Sequence, residues 1–214
     1  MAIRYRKPGY AAALAMNILI LAGEVLVLGA FVILRGPSLF IMYTNISNAL
    51  MAAACAVYIG FLVRERRTGR QIPGAVTGLK LTAACMLMVT FLIALLVLAP
   101  LVTDGYRYFM LSGRMFFTHT VFPLLSFISV LFLERDRPLS FRWTFIAVVP
   151  TLVYGTVMMI LNALRAVHGP YPFLCVYEQP VWQSVVWYVV IAAGAWAAAL
   201  VLWLIKKACS VRSI

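Results

Sequence analysis

Long apolar stretches separated by short polar or basic segments run the whole length of this 214-residue chain. They fall at about 11–34, 44–63, 78–101, 115–133, 143–164 and 181–205. At about 1.5 Å of rise per residue, each can cross a hydrocarbon core of about 30 Å as a helix. Backbone polar groups must be satisfied internally in lipid, so only helices or closed barrels span it. Barrel strands alternate apolar and polar residues and these runs do not, so the pattern predicts helices. The expectation is an all-α polytopic membrane protein: six transmembrane helices in one bundle, a single domain over residues 1–214, with linkers too short for a soluble domain. The first run follows a basic N-terminal stretch, as in a signal peptide. It is too long for that and lacks a small-residue cleavage pattern, so it reads as the first span.

Composition agrees with this. Hydrophobic residues make up 64% of the chain and charged residues 11%, against about 25% charged in a soluble domain. A net charge of +12 invites a nucleic-acid reading, but its distribution argues otherwise. With the N-terminus inside, 14 basic residues fall on the inner side: Arg4, Arg6, Lys7, Arg64, Arg66, Arg67, Arg70, Lys80, Arg135, Arg137, Arg142, Lys206, Lys207 and Arg212. Only 4, namely Arg35, Arg107, Arg114 and Arg165, fall on the outer side. This is the positive-inside bias of a multi-pass protein with both termini in the cytoplasm, in the cell membrane. Nucleic acid is not an expected partner. Cys55 and Cys85 lie in spans, Cys209 in the inner tail and Cys175 in an outer loop. No CxxC or zinc spacing links them, so they read as inert thiols, and neither metal nor cofactor is expected.

Polar groups at membrane depth are expensive and become functional candidates. They are Asn17 and Glu24 in the first span, Thr44, Asn45, Ser47 and Asn48 in the second, His119 in the fourth and Asn162 in the fifth, with Tyr154 and Gln183 as lesser groups. Thr44, Ser47 and Asn48 share one helix face. Thr44 reads either as a helix cap or as a reactive hydroxyl. Asn45-Ile46-Ser47 matches a glycosylation acceptor, but the span leaves it no exposed loop. His119 reads either as a satisfied helix-bridging histidine or as a general base. Pro123, at i+4 from it, removes a backbone bond and opens the helix locally. Both residues sit in the outer half of the membrane, and hydroxyl plus imidazole is the smallest nucleophile–base pair. Glu24 offers a carboxyl to orient His119, a proton held at depth, or a structural hydrogen bond. Asn48 and Tyr154 are candidate oxyanion donors. The turn Gly169-Pro170-Tyr171-Pro172-Phe173 reads as an interfacial anchor or as a lid over a lipid-facing pocket.

Three stretches also carry a family likeness: "YTNISN" at 43–48, "HTVFPLL" at 119–125 and "NALRAVHGPYPFL" at 162–174. In order and layout the chain resembles the androgen-induced and androgen-dependent membrane hydrolases, which cleave fatty acid esters of hydroxy fatty acids. The likeness is nearest to their compact bacterial relatives, whose Tyr-Phe-Thr-x-x-Ser-Asn element matches the first stretch. The resemblance implies a lipid hydrolase with a threonine nucleophile at Thr44 and a histidine at His119, acting on a fatty-acyl ester partner in the membrane. Ser47, Asn48, Glu24, Tyr154 and Asn162 then become supporting residues. A lipid acyltransferase uses the same chemistry. A small transporter or proton-coupled carrier relaying through Glu24 and His119 is the alternative of another class.

Overall fold

A computed structural model describes residues 9–134 and 136–211. Arg4, Arg6, Lys7, Arg135 and Arg212, and the side chain of Arg35, lie outside the described residues. Six helices are long and apolar enough to cross a membrane: α1 Tyr10–Leu34, α2 Tyr43–Thr68, α3 Gly74–Leu101, α4 Gly113–Leu133, α5 Trp143–Ala163 and α6 Val181–Cys209. Among the described residues there is no strand. The predicted all-α, six-span bundle is therefore the fold, and the chain is a multi-pass integral membrane protein. The expected limits hold to within a few residues. The largest extension is α2, whose last turn of Arg64, Glu65, Arg66 and Arg67 continues past the apolar run until Gly69 at φ 71° ends it.

α3 is the axis of the bundle. Every residue from Lys80 to Leu87 is buried, as expected of a helix that is apolar on all sides. It packs on α2, on α4 and on α6. Small residues let α3 and α6 approach: Ala83 and Ala84 lie in one core cluster with Ala195 and Ala199, and the Cys85 thiol donates to the Ala195 carbonyl at 3.4 Å. Gly78 is required for packing, since a Cβ there would stand 2.2 Å from the Trp143 ring. Large apolar residues cover the outside, including Ile33 at 85% and Val181 at 78% exposure. A soluble surface would not carry such a belt, whereas a lipid-facing one does.

Polar groups separate to the two ends. At the end where α1 begins, Lys80 pairs with Glu134 at 3.2 Å, both side chains fully buried. Asn17 accepts from Lys80 at 2.8 Å and donates to Ser129 and Glu134. Lys206 donates to the carbonyls of Val130 and Glu134. Two of the basic residues counted toward the inner surface, Lys80 and Lys206, are thus interior residues and do not meet headgroups. Asn17 is likewise absorbed by this cluster.

Candidate functional site

The other end of the bundle holds the expected hydroxyl and imidazole. A 3₁₀ turn, Pro37–Ile41, brings the chain from α1 into α2. Three side chains fix the start of α2: Tyr43 bonds Thr151 at 2.7 Å, Tyr154 donates to the Ile41 carbonyl at 2.8 Å, and Asn45 donates to the Leu39 carbonyl at 2.8 Å. Asn45 is buried by that bond, which leaves no acceptor for glycosylation. Met42, not Thr44, occupies the cap position, and no side chain caps the helix. The capping reading of Thr44 is therefore corrected: its hydroxyl lies within the first turn and is available for other bonding.

That hydroxyl lies 3.2 Å from His119 Nε2. The histidine sits in a π-helical turn, Phe117–Val121, which ends two residues before Pro123. Proline cannot donate to the carbonyl four residues back, and the wide turn accommodates the lost bond. His119 Nδ1 lies 3.1 Å from the Met115 carbonyl and 3.2 Å from the Thr118 hydroxyl. A carbonyl can only accept, so in the neutral ring Nδ1 carries the proton and Nε2 presents a lone pair. The Thr44 hydroxyl then donates to Nε2, the arrangement a nucleophile needs from its base. The Phe109 ring packs edge-on against the imidazole, with centroids 5.9 Å apart.

The remaining candidates divide into those that hold Thr44 and those that do not. Ser47 donates to the Thr44 carbonyl at 2.9 Å and bonds Thr90 at 2.8 Å. Asn48 donates to the carbonyls of Thr44 and Thr118 at 2.6 and 3.3 Å, joining the helices that carry the pair. With both amide protons engaged, Asn48 has none left for an oxyanion, and the Tyr154 hydroxyl is committed to Ile41. Both oxyanion assignments are corrected on that ground. Asn162 is also not at the hydroxyl. It donates to the Val167 carbonyl at 3.0 Å and accepts from the Val176 N–H at 2.8 Å, so it pins the loop between α5 and α6. Gln183 lies at the start of α6.

Glu24 does not orient His119. Both imidazole nitrogens have other partners, and both Glu24 carboxyl oxygens are buried with no hydrogen-bond partner among the described residues. This also leaves no direct Glu24–His119 relay. A buried polar group without a partner costs about 1–3 kcal/mol. Glu24→Met, similar in volume and free of that cost, is expected to unfold at higher denaturant in detergent micelles than the wild type.

One group that sequence reasoning placed only in a turn reaches the site. The Tyr171 hydroxyl accepts the Thr44 backbone N–H at 3.4 Å. Burial pushes the Tyr171 phenol up from its ordinary value, so it keeps its proton. The turn lines the cavity onto which Thr44 and His119 open. Phe173 stacks on Tyr171 and, with Leu174, lines this cavity. The cavity runs from Thr44 and His119 between α3, α5 and α6 and is walled almost entirely by apolar side chains.

Six membrane-length helices, a paired hydroxyl and imidazole, and an apolar cavity define an integral membrane protein with a buried polar site at one end. No protein-family model matches the chain, and neither a curated protein nor a solved structure is similar to it.

Proposed function

We propose that the protein is a lipid-ester hydrolase with Thr44 as nucleophile and His119 as general base, acting on fatty-acyl esters such as fatty acid esters of hydroxy fatty acids. The observation that carries this reading is the 3.2 Å contact between Thr44 Oγ1 and His119 Nε2, with Nδ1 bonded to the Met115 carbonyl. The contact opens directly on a cavity suited to an acyl chain. The likeness to the androgen-induced membrane hydrolases supports the same two residues in the same roles.

Thr44 Oγ1 attacks the ester carbonyl carbon as its proton passes to His119 Nε2. The developing oxyanion is met by the proton of the Tyr171 phenol, whose oxygen is held by the Thr44 N–H at the positive end of the α2 dipole. The intermediate collapses, and His119 returns the proton to the departing alcohol. Water then attacks the acyl-Thr44 ester, His119 takes its proton, and the second intermediate expels Thr44 Oγ1, which takes that proton back from His119. The fatty acid is released. In this reading α2 starts on the outer side of the cell membrane, both termini are cytoplasmic, and the site lies in the outer half of the bilayer.

The test is a fluorophosphonate probe of the kind that labels serine and threonine hydrolases. The adduct is expected on the peptide containing Thr44 and absent from Thr44→Ala; equal labelling of the two proteins would sink the assignment. A transferase using the same acyl-enzyme is separated by its products when lipid alcohols compete with water. Tyr171→Phe is expected to lower kcat by about 10²-fold with little change in KM, as for other single oxyanion donors. An unchanged kcat would remove Tyr171 from the oxyanion site.

A further inference from the structure

The loop between α5 and α6 carries a second cluster that the proposed hydrolysis does not use. His168, Cys175 and Glu178 each offer one donor atom, and the three atoms lie within 4.8 Å of one another. Cys175 Sγ is 3.7 Å from His168 Nε2, and Glu178 Oε1 is 3.7 Å from the same nitrogen. No recognised zinc spacing announces this set, because the loop folds back on itself. Gly169 makes the fold possible: a Cβ there would stand 2.6 Å from the Leu174 carbonyl oxygen and 2.9 Å from the Cys175 nitrogen. Asn162 holds the same loop from α5 through Val167 and Val176.

Three explanations compete for such a cluster. A thiol–imidazole–carboxylate relay needs the carboxylate on one ring nitrogen and the thiol on the other. Here both approach Nε2, so the cluster is not a catalytic triad. A plain surface ion pair accounts for His168 and Glu178, which are 74% and 64% exposed in their side chains. It gives no part to the buried Cys175 thiol, which donates to the Gly169 and Tyr171 carbonyls at 3.4 Å each and lies beside the same nitrogen. Chelation requires all three donor atoms to lie close together, and they do. Bonds of about 2.3 Å to sulfur and about 2.0–2.1 Å to nitrogen, at a tetrahedral angle, place those two atoms about 3.5 Å apart. The 3.7 Å observed is close to that figure.

We infer that His168, Cys175 and Glu178 bind a borderline-soft divalent transition-metal ion of the Zn²⁺ class, with a fourth position open to water. Thiolate and imidazole select such an ion over magnesium or calcium. Burial and the neighbouring Glu178 charge push the Cys175 thiol up, so metal entry displaces its proton. The ion would cross-link the stretch that carries Tyr171, Phe173 and Leu174, stiffening the turn that lines the cavity. The site stands on its own donors and does not depend on the hydrolase reading.

Co²⁺ replaces Zn²⁺ in such sites and reports on its ligands. The purified full-length protein in detergent, titrated with Co²⁺, is expected to develop a thiolate-to-cobalt charge-transfer band that saturates at one ion per chain and is displaced by Zn²⁺. Cys175→Ser is expected to abolish the band, and His168→Ala and Glu178→Gln to weaken binding. The exposed positions of the last two make misfolding a poor explanation for any loss. Cys209→Ser is expected to leave the band intact. Absence of a band in the wild type, its survival in Cys175→Ser, or its loss in Cys209→Ser would overturn the inference.

Discussion

Hydrolysis of fatty-acyl esters is expected to fall to background when Thr44 is replaced by alanine, to fall by about 10²–10⁴-fold for His119→Ala, and to fall no further in the double variant than in Thr44→Ala. The first loss follows because no other hydroxyl is bonded to His119 Nε2 among the described residues. The second reflects a base whose lone pair is fixed in place by the Nδ1 bond to Met115. Non-additivity follows because the two atoms act in one proton transfer, and removing either partner removes the step. Thr44→Ser is the informative control, since it keeps the oxygen and loses only a methyl group. Structural damage is a weak competing explanation: the Thr44 side chain caps no helix, and one neutral hydrogen bond is worth about 1 kcal/mol. Michaelis kinetics in detergent micelles on a chromogenic fatty-acyl ester measure all four variants. A Thr44→Ala protein with wild-type kcat would end the proposal, whatever the distance between the atoms.

The pairing of Thr44 with His119 was legible because hydropathy reports depth. Both residues lie a short way into spans that begin at the same face, so only two helix rotations remained undetermined. Periodicity also placed Ser47 and Asn48 beside Thr44, where they bond its carbonyl. What hydropathy cannot report is azimuth and tertiary reach. Asn48 and Tyr154 were at the right depth for an oxyanion, yet their protons are spent on Thr44, Thr118 and Ile41. Tyr171 lies 127 residues from Thr44 in sequence, and only the folding of its loop brings it there. Glu24 shows the converse. A carboxyl at depth reads as machinery, but its position on α1 leaves it without a hydrogen-bond partner among the described residues.

Lys80 is the residue whose surroundings were least legible, and its replacement carries the largest expected effect on stability. A lysine two residues into a predicted span reads as a headgroup anchor. Its ammonium instead turns inward to Glu134 at 3.2 Å and Asn17 at 2.8 Å, fully buried on α3. The signal was present in part, because Glu134 ends α4 at the same face, but an ion pair between helices leaves no periodic trace. Lys80→Met is expected to destabilise the protein by about 3–5 kcal/mol, the cost of stranding a buried carboxylate. Chemical denaturation in mixed micelles, followed by tryptophan fluorescence, measures it. Lys80→Met combined with Glu134→Gln is expected to recover most of that loss, since removing both charges of a buried pair is often neutral. The comparison separates two roles for the cluster. Recovery in the double variant means that the single variant's penalty is the unpaired charge. Failure to recover means that the bonds from Asn17 and Ser129 to the Glu134 carboxyl group hold α1 to α4 in their own right. A Lys80→Met protein as stable as the wild type would mean that the pair contributes nothing. In either of the first two cases the cost lies at the end of the bundle opposite Thr44 and His119. Variants at that end are therefore expected to lower the amount of folded protein while leaving kcat per folded molecule unchanged.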